Sequence, residues 1–286
     1  MSKQYTLTTR EDRALARRRR TRRHRVISSV STIVVLGGLA AWILTSSGWP
    51  SVKHSFFSST VFAKSIGGVA SAFWLDVRMF LIVEACVLPI AMLIALIRTF
   101  DLPALFPLKL VCVVFVDVMR GIPTILLIFL VGFAIPALNL HGVPGSALVL
   151  GCIALTMCYS AYVSEVFRAG VQSIHPSQAG AALALGLTPI QALRHVIVPQ
   201  AVRRVIPPLL NDFISLQKDV ALVSILGVVE AFQFAQVYAD QYFNFTPLVA
   251  AAVLYLCVTI PLTRIFDHMQ ARSRRDQGSV MALGPR

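Results

Sequence analysis

Uninterrupted apolar runs of about 20 residues constrain the fold of this chain most, because that length of helix crosses a hydrocarbon core roughly 30 Å thick. With 56% apolar and 14% charged residues, the composition excludes a soluble fold. In lipid only a helix or a closed barrel satisfies every backbone polar group, and these runs are continuous rather than alternating. The sequence therefore predicts an all-α integral membrane protein with about six transmembrane helices. We place the spans at 26–45, 75–97, about 110–138, 146–164, about 203–228 and 247–266.

The net charge of +13 is concentrated beside the predicted spans. Nine arginines fall between Arg10 and Arg25, directly before the first span, and such a cluster holds an N-terminus in the cytoplasm. An arm that binds anionic lipid or RNA is the other interpretation of this cluster. We favour the topological role and expect no nucleic-acid partner.

The remaining basic residues follow the same bias. The predicted outer segments carry only Lys53 and Lys64, whereas the inner ones carry many more. The inner basic residues are Arg98, Lys109, Arg168, Arg194, Arg203, Arg204, Arg272, Arg274, Arg275 and Arg286. We therefore predict a multi-pass protein of the plasma (inner) membrane with both termini in the cytoplasm, a basic arm at 1–25 and a tail at 269–286.

The sequence does not predict an active site. The five cysteines have no CxxC spacing and the six histidines have no HExxH pattern, which argues against a disulfide framework or a metal site. Ser160, Ser164 and Ser224 lie in apolar runs that hold no histidine, so no nucleophile–base pair of a membrane-embedded hydrolase is present. No GxxxxGK[ST] motif occurs either, so the chain cannot bind ATP in that way. We predict that it is not an enzyme.

Two of the predicted spans contain prolines. In the third, from about 110 to 138, either the helix is tilted and bent near Pro123, or the residues up to Arg120 lie along the inner interface. The fifth, from about 203 to 228, is interrupted by Pro207 and Pro208. We leave the register of both open.

A long inner loop separates the fourth and fifth spans. Ser177 can cap a helix from Gln178 to Leu185, which Gly186 then ends. Thr188, followed by Pro189 and by Gln191 at the third position, is typical of a capping box that starts a second helix, which Pro199 limits. The loop therefore contains two short helices at an angle with an Ala/Leu face. We interpret them as a docking element; a helix pair packed on its own bundle is the alternative.

The same loop resembles the cytoplasmic coupling loop of permease subunits of ATP-binding-cassette (ABC) importers, in particular the polar amino acid uptake family. That loop is marked by Glu-Ala-Ala, three residues, Gly, nine residues, Ile-x-Leu-Pro. The matching residues, at the family's spacing, are Ala181, Ala182, Gly186 and Pro199, with Val196 and Val198 as conservative replacements. Two positions depart from the pattern. Gly180 replaces the glutamate, which puts one contact to the ATPase in doubt, and Ser177 replaces an earlier glycine.

Other segments support the resemblance, which covers roughly 70–268. They are Glu165–Gly170, Pro199–Arg203, Lys218–Ser224 and Arg120–Pro123, the last similar to an Arg-Gly-x-Pro motif that opens a core helix. The resemblance implies a five-helix permease domain at 70–268, with cytoplasmic coupling helices between the fourth and fifth spans. The helix at 26–45 is then an extra N-terminal span.

An importer of this kind has several components. An extracytoplasmic solute-binding protein delivers the substrate, two permease copies pair, and an ABC ATPase dimer drives alternating access. The resemblance implies that this chain holds no cofactor and that the partner ATPase binds ATP and Mg. The residues it places at the ATPase are Gln178, Gly180, Ala181, Ala182, Leu185, Gly186 and Thr188.

Polar residues inside the spans are candidates for the substrate pathway, because charge is costly in a membrane. Asn211, Ser215 and Lys218 share one helix face, and Asp219 follows Lys218. An amino acid's carboxylate can meet Lys218 or Arg120, and its ammonium can meet Glu84 or Asp219. The alternative is an ion-pair network that fixes helix packing, which we favour for Lys218 and Asp219. For Glu84 both roles stay open.

Two other transporter classes compete with the importer. An ion-coupled secondary transporter or channel has the same topology and no ATPase, and it needs no docking element. An ABC exporter is disfavoured, since the loop pattern belongs to importers. The sequence leaves open which amino acid or related solute is carried, and whether the two permeases are identical.

Overall fold

The computed structural model describes the backbone of residues 10–99, 103–139, 142 and 145–282, which is helical throughout with short turns and contains no strand. Residues 1–9 of the basic arm and 283–286 of the tail lie outside the described residues. The side chains of 10–23, 25 and 271–282 do so as well. The chain divides into two compact units, residues 1–57 and 58–286.

In the first unit the described residues form two helices, α1 (Arg10–Thr45) and α2 (Trp49–Phe56). The apolar part of α1, Val26–Thr45, is long enough to cross a membrane. Its helix is continuous with the basic segment that precedes it. The sequence therefore changes from basic to apolar without a change of backbone conformation.

The described part of the second unit contains ten further α-helices. They are α3 (Ser59–Thr99), α4 (Phe106–Gly121), α5 (Thr124–Phe129), α6 (Ile135–Ala137), α7 (Ala147–Gln172), α8 (Pro176–Ala184), α9 (Pro189–Ala192), α10 (Val198–Asp219), α11 (Ala231–Tyr242) and α12 (Thr246–Ala282). Short π-helical turns join α5 to α6 and α9 to α10, and a 3-10 turn, Val220–Leu226, extends α10.

The number of spans agrees with the sequence prediction. Four segments of the described chain are long and apolar enough to cross a membrane, and the number rises to six if each of two bent helix pairs forms one span. The segments are Val26–Thr45, Trp49–Thr99, Ala147–Gln172 and Thr246–Gln270, and the bent pairs are Pro103–Gly121 with Thr124–Ala137 and Pro189–Leu226 with Ala231–Tyr242. The prediction of an all-α membrane protein with about six transmembrane helices is confirmed.

Several predicted boundaries were wrong. The second span was placed at 75–97, but α3 begins at Ser59, so most of the supposed outer loop 46–74 is helical. The bend expected near Pro123 exists, and at 108° it is too sharp for one tilted crossing. Pro123 has an extended backbone, ψ 133°, and lacks the N–H that would continue the ladder of α4.

The prolines of the fifth span do not interrupt it. Pro207 and Pro208 lie inside α10, and Pro199 stands in its first turn, directly after the π-turn Leu193–Ile197. The chain stays helical from Pro189 to Leu226, because the π-turn Leu193–Ile197 carries α9 directly into α10. The bend comes only afterwards: 51°, before α11.

The main core lies between α3 and α7. Val83, Val87 and Ala91, spaced by four residues, present one fully buried stripe of α3. Ala154 and Leu155 of α7 are equally buried in the same cluster. A second, smaller cluster joins the first half of α3 to α11 and α12. Helix α3 is therefore the element that both clusters share.

Helix α7 approaches α10, and the 3-10 turn that extends it, closely at two glycines of α7. A Cβ built on Gly170 would lie 2.1 Å from Cγ2 of Val205, and one built on Gly151 would lie 2.4 Å from Cγ1 of Val223. Both distances are far inside van der Waals contact. The packing of α7 against α10 and this turn therefore leaves no room for a side chain at these positions unless the two valines shift.

We expect Gly170→Ala to destabilise the protein by about 1–3 kcal/mol, the usual cost of an extra methyl group in a tightly packed site. Thermal unfolding in detergent measures the loss, and Val205→Ala in the same chain should restore most of it. Gly180→Ala is the matched control, because Gly180 lies in α8 with open space around it. That variant should gain up to about 1 kcal/mol from helix propensity. Equal losses at both glycines would contradict the packing argument.

Candidate functional site

The segment from the end of α7 into the first turn of α10, residues 173–200, folds into two helical pieces joined by a tight turn, and we call it the hook. Helix α8 begins at Pro176, and its N-cap is His175, whose Nδ1 accepts a hydrogen bond from the Ser177 N–H at 3.2 Å. The prediction that Ser177 caps this helix was wrong by two residues. Proline suits the first helical position, so the helix starts before the serine.

Gly186 ends α8 as the sequence predicts. Its φ is +88°, which glycine adopts without strain. The N–H of Leu187 donates to the carbonyl of Ala182 at 3.2 Å, and the N–H of Gly186 donates to that of Leu183 at 2.9 Å. These two bonds form a Schellman motif, in which the glycine takes the left-handed position. The last helical residue is Ala184, one residue before the predicted end at Leu185.

The capping box of α9 is also confirmed. The Gln191 N–H donates to Thr188 Oγ1 at 3.3 Å, and the Thr188 N–H donates to Gln191 Oε1 at 2.9 Å. Helix α9 does not end at Pro199, however, since it runs on into α10. The second piece of the hook is therefore the beginning of a long membrane helix rather than a separate short one.

The hook has one packed and one exposed apolar face. Ala182 and Ala192 are buried where the two pieces meet. Leu185 at the turn is 84% exposed and Ile190 is 77% exposed. Of the other residues predicted to contact an ATPase, five are exposed with Leu185, whereas Ala182 is buried. The exposed ones are Gln178, Gly180, Ala181 and Thr188, and Gly186 is exposed at the turn itself.

Hydrogen bonds join the two pieces of the hook to each other and join the hook to α7 and α10. Gln200 Nε2 donates to Gln178 Oε1 at 3.3 Å, which joins the two pieces. Arg204 of α10 donates to the carbonyl of Ser173, the residue that caps the end of α7. These bonds, together with the Gly170 contact, hold the hook to α7 and α10.

Three charged side chains form an ionic cluster close to the start of the hook. Glu165 of α7 accepts a hydrogen bond from Arg98, in the last turn of α3, at 2.9 Å. It also binds Arg168 one turn further along α7, through both Nε and a terminal nitrogen. The three side chains are only 11–25% exposed. One carboxylate therefore ties α3 to the part of α7 from which the hook emerges.

A cleft of about 400 Å³ opens between α7 and α10, near the end of α4. Arg120 lies in its wall, with its guanidinium carbon 5.8 Å from the centre of the Tyr162 ring. Asp212 of α10 lies in the same wall, and its Oδ2 is buried without a hydrogen-bond partner. The cleft therefore presents both signs of charge within a mostly apolar surface.

The structure brings only some of the predicted pathway residues together. Arg120 lies in the cleft, and half-buried Glu84 lies close enough to Asp212 for their charges to interact. Asp219 instead accepts a hydrogen bond from the hydroxyl of Tyr159 at 2.7 Å. Lys218 is exposed, and so is Asn211, while Ser215 is partly buried. The expected pairing of Lys218 with Asp219 does not occur. The sequence analysis missed Asp212. Its only signal in the sequence is an acidic side chain within a predicted span.

Comparison with known proteins identifies the family. Residues 87–275 match the model of the binding-protein-dependent transport system inner membrane component. This match covers well over half of the chain, so the chain belongs to that family of membrane transport components.

Individual relatives agree. The probable amino-acid ABC transporter permease protein y4tG of Sinorhizobium fredii is 39% identical over 54% of this chain and 67% of its own length. The glutamine transport system permease protein GlnP of Escherichia coli is 35% identical over 57% of this chain and 75% of its own. The chain is thus a multi-pass permease of an ABC importer, and the secondary transporter or channel is not supported.

Solved structures share the fold. A crystal structure of an amino acid ABC transporter with histidines has a TM-score of 0.66 at 28% identity, over 75% of this chain and 97% of that one. An inward-facing structure of the MetNI methionine ABC transporter has a TM-score of 0.55 over 76% and 99%. At 19% identity the second likeness concerns the fold alone.

Proposed function

We propose that this chain is the amino-acid permease subunit of an ABC importer and that the hook docks a separate ATPase. The observation that carries the proposal is the exposed apolar tip that Leu185 and Ile190 form at the turn of Gly186. Similarity to permeases named for amino acids and glutamine supports the substrate class. The partners are an ABC ATPase dimer that binds ATP and Mg, a second identical or related permease, and an extracytoplasmic solute-binding protein.

The hook faces the cytoplasm in this proposal. Basic residues gather at its end of the bundle: Arg98 in the last turn of α3, Arg168 in α7, and Arg203 and Arg204 in α10. Positively charged residues accumulate on the cytoplasmic side of membrane proteins. The N-terminal arm, the hook and the C-terminal tail then share the cytoplasmic side of the inner membrane.

The hook can transmit motion because it is part of a membrane helix. From Pro189 the chain is helical to Leu226, so a displacement of the tip moves α10 with it. Helix α10 contributes Arg204 and Asp212 to the cleft. Closure of an ATPase dimer would therefore reshape the cleft as a rigid-body movement.

The cleft suits a zwitterionic solute. Arg120 can bind an amino acid's carboxylate, and Asp212 with nearby Glu84 can bind its ammonium group. Asn211 is the neighbour of Asp212, and Ser215, Lys218 and Asp219 lie further along α10; these four residues continue the pathway. Asp219 then serves both as a pathway residue and as the partner of Tyr159.

Purification from native membranes tests the proposed function. An affinity-tagged chain should retain an ABC ATPase. After reconstitution with its binding protein in vesicles, with the hook facing the lumen, the complex should accumulate an amino acid only when ATP is present in the lumen. Complexes that never retain such an ATPase would overturn the proposal. Uptake that continues without ATP would do the same and favour an ion-coupled mechanism.

We expect Glu84→Gln to lower ATP-driven uptake about tenfold, equivalent to 1.4 kcal/mol of barrier, because the neutral amide no longer attracts the solute's ammonium group. Assembly with the ATPase should be unaffected, since Glu84 lies in α3 away from the hook. Asp117→Asn, at an exposed site of α4, is the matched control and should transport normally. Normal uptake by both variants would assign Glu84 to helix packing.

A further inference from the structure

Two acidic side chains are buried together where α3, α11 and α12 meet. Asp76 of α3 is 1% exposed, and Glu230, which precedes α11, is fully buried. Asp76 stands 22 residues before Arg98 on the same helix, a separation of roughly 33 Å. This pair is therefore distant from the hook, and neither residue lines the cleft.

Glu230 has an evident structural role. Its Oε2 accepts a hydrogen bond from the Phe232 N–H at 2.7 Å, and its Oε1 accepts one from the Gln233 N–H at 2.8 Å. It thus caps α11 with both oxygens, and the positive end of a helix dipole favours the ionised carboxylate. Glu230 is best satisfied as an anion.

Asp76 is only half satisfied. Its Oδ2 accepts a hydrogen bond from the hydroxyl of Tyr255 on α12 at 2.7 Å, whereas its Oδ1 has no hydrogen-bond partner. The Glu230 carboxylate lies beside it, and the N–H of Ala231 approaches without meeting hydrogen-bond geometry. A buried carboxylate oxygen with no donor is costly.

In the described part of the chain the two carboxyl groups lack a compensating cation. Among the described residues neither forms an ion pair with a lysine, arginine or histidine. Arg78, two residues further along α3, is exposed, and among the described side chains of α12 only the Tyr255 hydroxyl bonds to the pair. Helix α10 contributes the neutral amide of Gln217, across a cavity of about 160 Å³ that Asp76 also lines. Two negative charges here would repel in a medium that screens them weakly.

We propose that Asp76 and Glu230 hold one proton between them, carried by Asp76 Oδ1 and donated to the Glu230 carboxylate. This proton provides the missing partner for Oδ1 and leaves a single charge at the positive end of α11. The site then links three helices through an unbroken chain of hydrogen bonds: Tyr255 to Asp76, Asp76 to Glu230, and the backbone of α11 to Glu230. Loss of the proton places two unpaired charges in the core and loosens this junction.

Infrared spectroscopy of the full-length chain tests the proton directly. The wild type should show a carbonyl stretch of an un-ionised carboxyl group at neutral pH that Asp76→Asn removes. Asp240→Asn, at an exposed site of α11, should leave that band in place. Tyr255→Phe should shift the band without abolishing it, because the carbonyl oxygen of Asp76 loses its donor. A wild-type-minus-Asp76→Asn spectrum without this band would overturn the proposal.

The dependence of stability on pH gives an independent result. Above about pH 4 an unfolded aspartate is ionised, so the native protein binds one more proton than the unfolded chain. Stability should therefore fall as pH rises, by up to about tenfold in the folded-to-unfolded ratio per pH unit, until the native pair releases the proton. Asp76→Asn keeps the shape and a donor, so this part of the slope should vanish. Identical slopes in the two proteins would contradict the shared proton.

A bound monovalent cation is the competing explanation for Asp76. Exchanging choline chloride for sodium chloride at equal ionic strength should not change the thermal midpoint of the wild type. If the thermal midpoint is higher in sodium chloride than in choline chloride, and Asp76→Asn abolishes this difference, a bound cation takes the place of the proton and the proposal is overturned.

Discussion

Replacing Leu185 with aspartate is expected to abolish substrate-stimulated ATP hydrolysis by the assembled importer while the chain still inserts and folds. Leu185 is 84% exposed at the turn of the hook, where it supports no packing of its own chain. In an interface its burial contributes to docking, and a carboxylate in its place would be desolvated without a partner. A loss of 2 kcal/mol or more, typical of a central interface residue, lowers ATPase affinity by about 30-fold.

The measurement is ATP hydrolysis by the reconstituted complex with and without the loaded binding protein, together with retention of the ATPase on an affinity column. Leu138→Asp is the matched control, because Leu138 follows α6, outside the hook, and is also well exposed. Gly186→Asp tests the turn rather than the surface, since φ of +88° strains any residue with a Cβ. Unchanged stimulation in Leu185→Asp would remove the hook from the ATPase interface.

The hook was predictable because its structure is determined locally. Gly186 and the Thr188–Gln191 capping box act through bonds that span no more than five residues, so the sequence contains all of the information. The predicted helix limits were wrong where the effect of a proline depends on the helical turns next to it. Pro199 stands in a first helical turn because a π-turn precedes it, and Pro207 and Pro208 are tolerated within α10.

Pairings between distant residues were not predictable. Arg98 and Glu165 are 67 positions apart, and Asp76 and Tyr255 are 179 apart. Helical periodicity places a residue on a face, but it does not say which helix that face meets. For this reason we expected Asp219 to pair with Lys218, its neighbour in the sequence, whereas in the structure Asp219 accepts a hydrogen bond from Tyr159. The buried Asp76 gave no signal beyond its charge within an apolar run.

The ionic cluster above the hook gives the second large effect. We expect Glu165→Ala to destabilise the protein by about 2–4 kcal/mol, because Arg98 and Arg168 would keep their positions without a carboxylate between them. Arg98 is the more sensitive partner, as its side chain is only 11% exposed. Thermal unfolding in detergent measures the loss. The coupled ATPase activity should fall together with the stability, since α3 would no longer be bound to the end of α7 from which the hook begins.

A double-mutant cycle separates the ion pair from the packing of the side chains. Arg98→Met keeps most of the apolar length of the arginine, so Arg98→Met with Glu165→Gln removes both charges while filling similar space. The double variant should be more stable than Glu165→Gln alone, because no unpaired arginine then remains at position 98. Arg194→Met, at an exposed position of the hook, should not rescue Glu165→Gln. Additive losses for Arg98→Met and Glu165→Gln would mean that the two side chains do not act through their contact, and that other contacts hold α3 to α7.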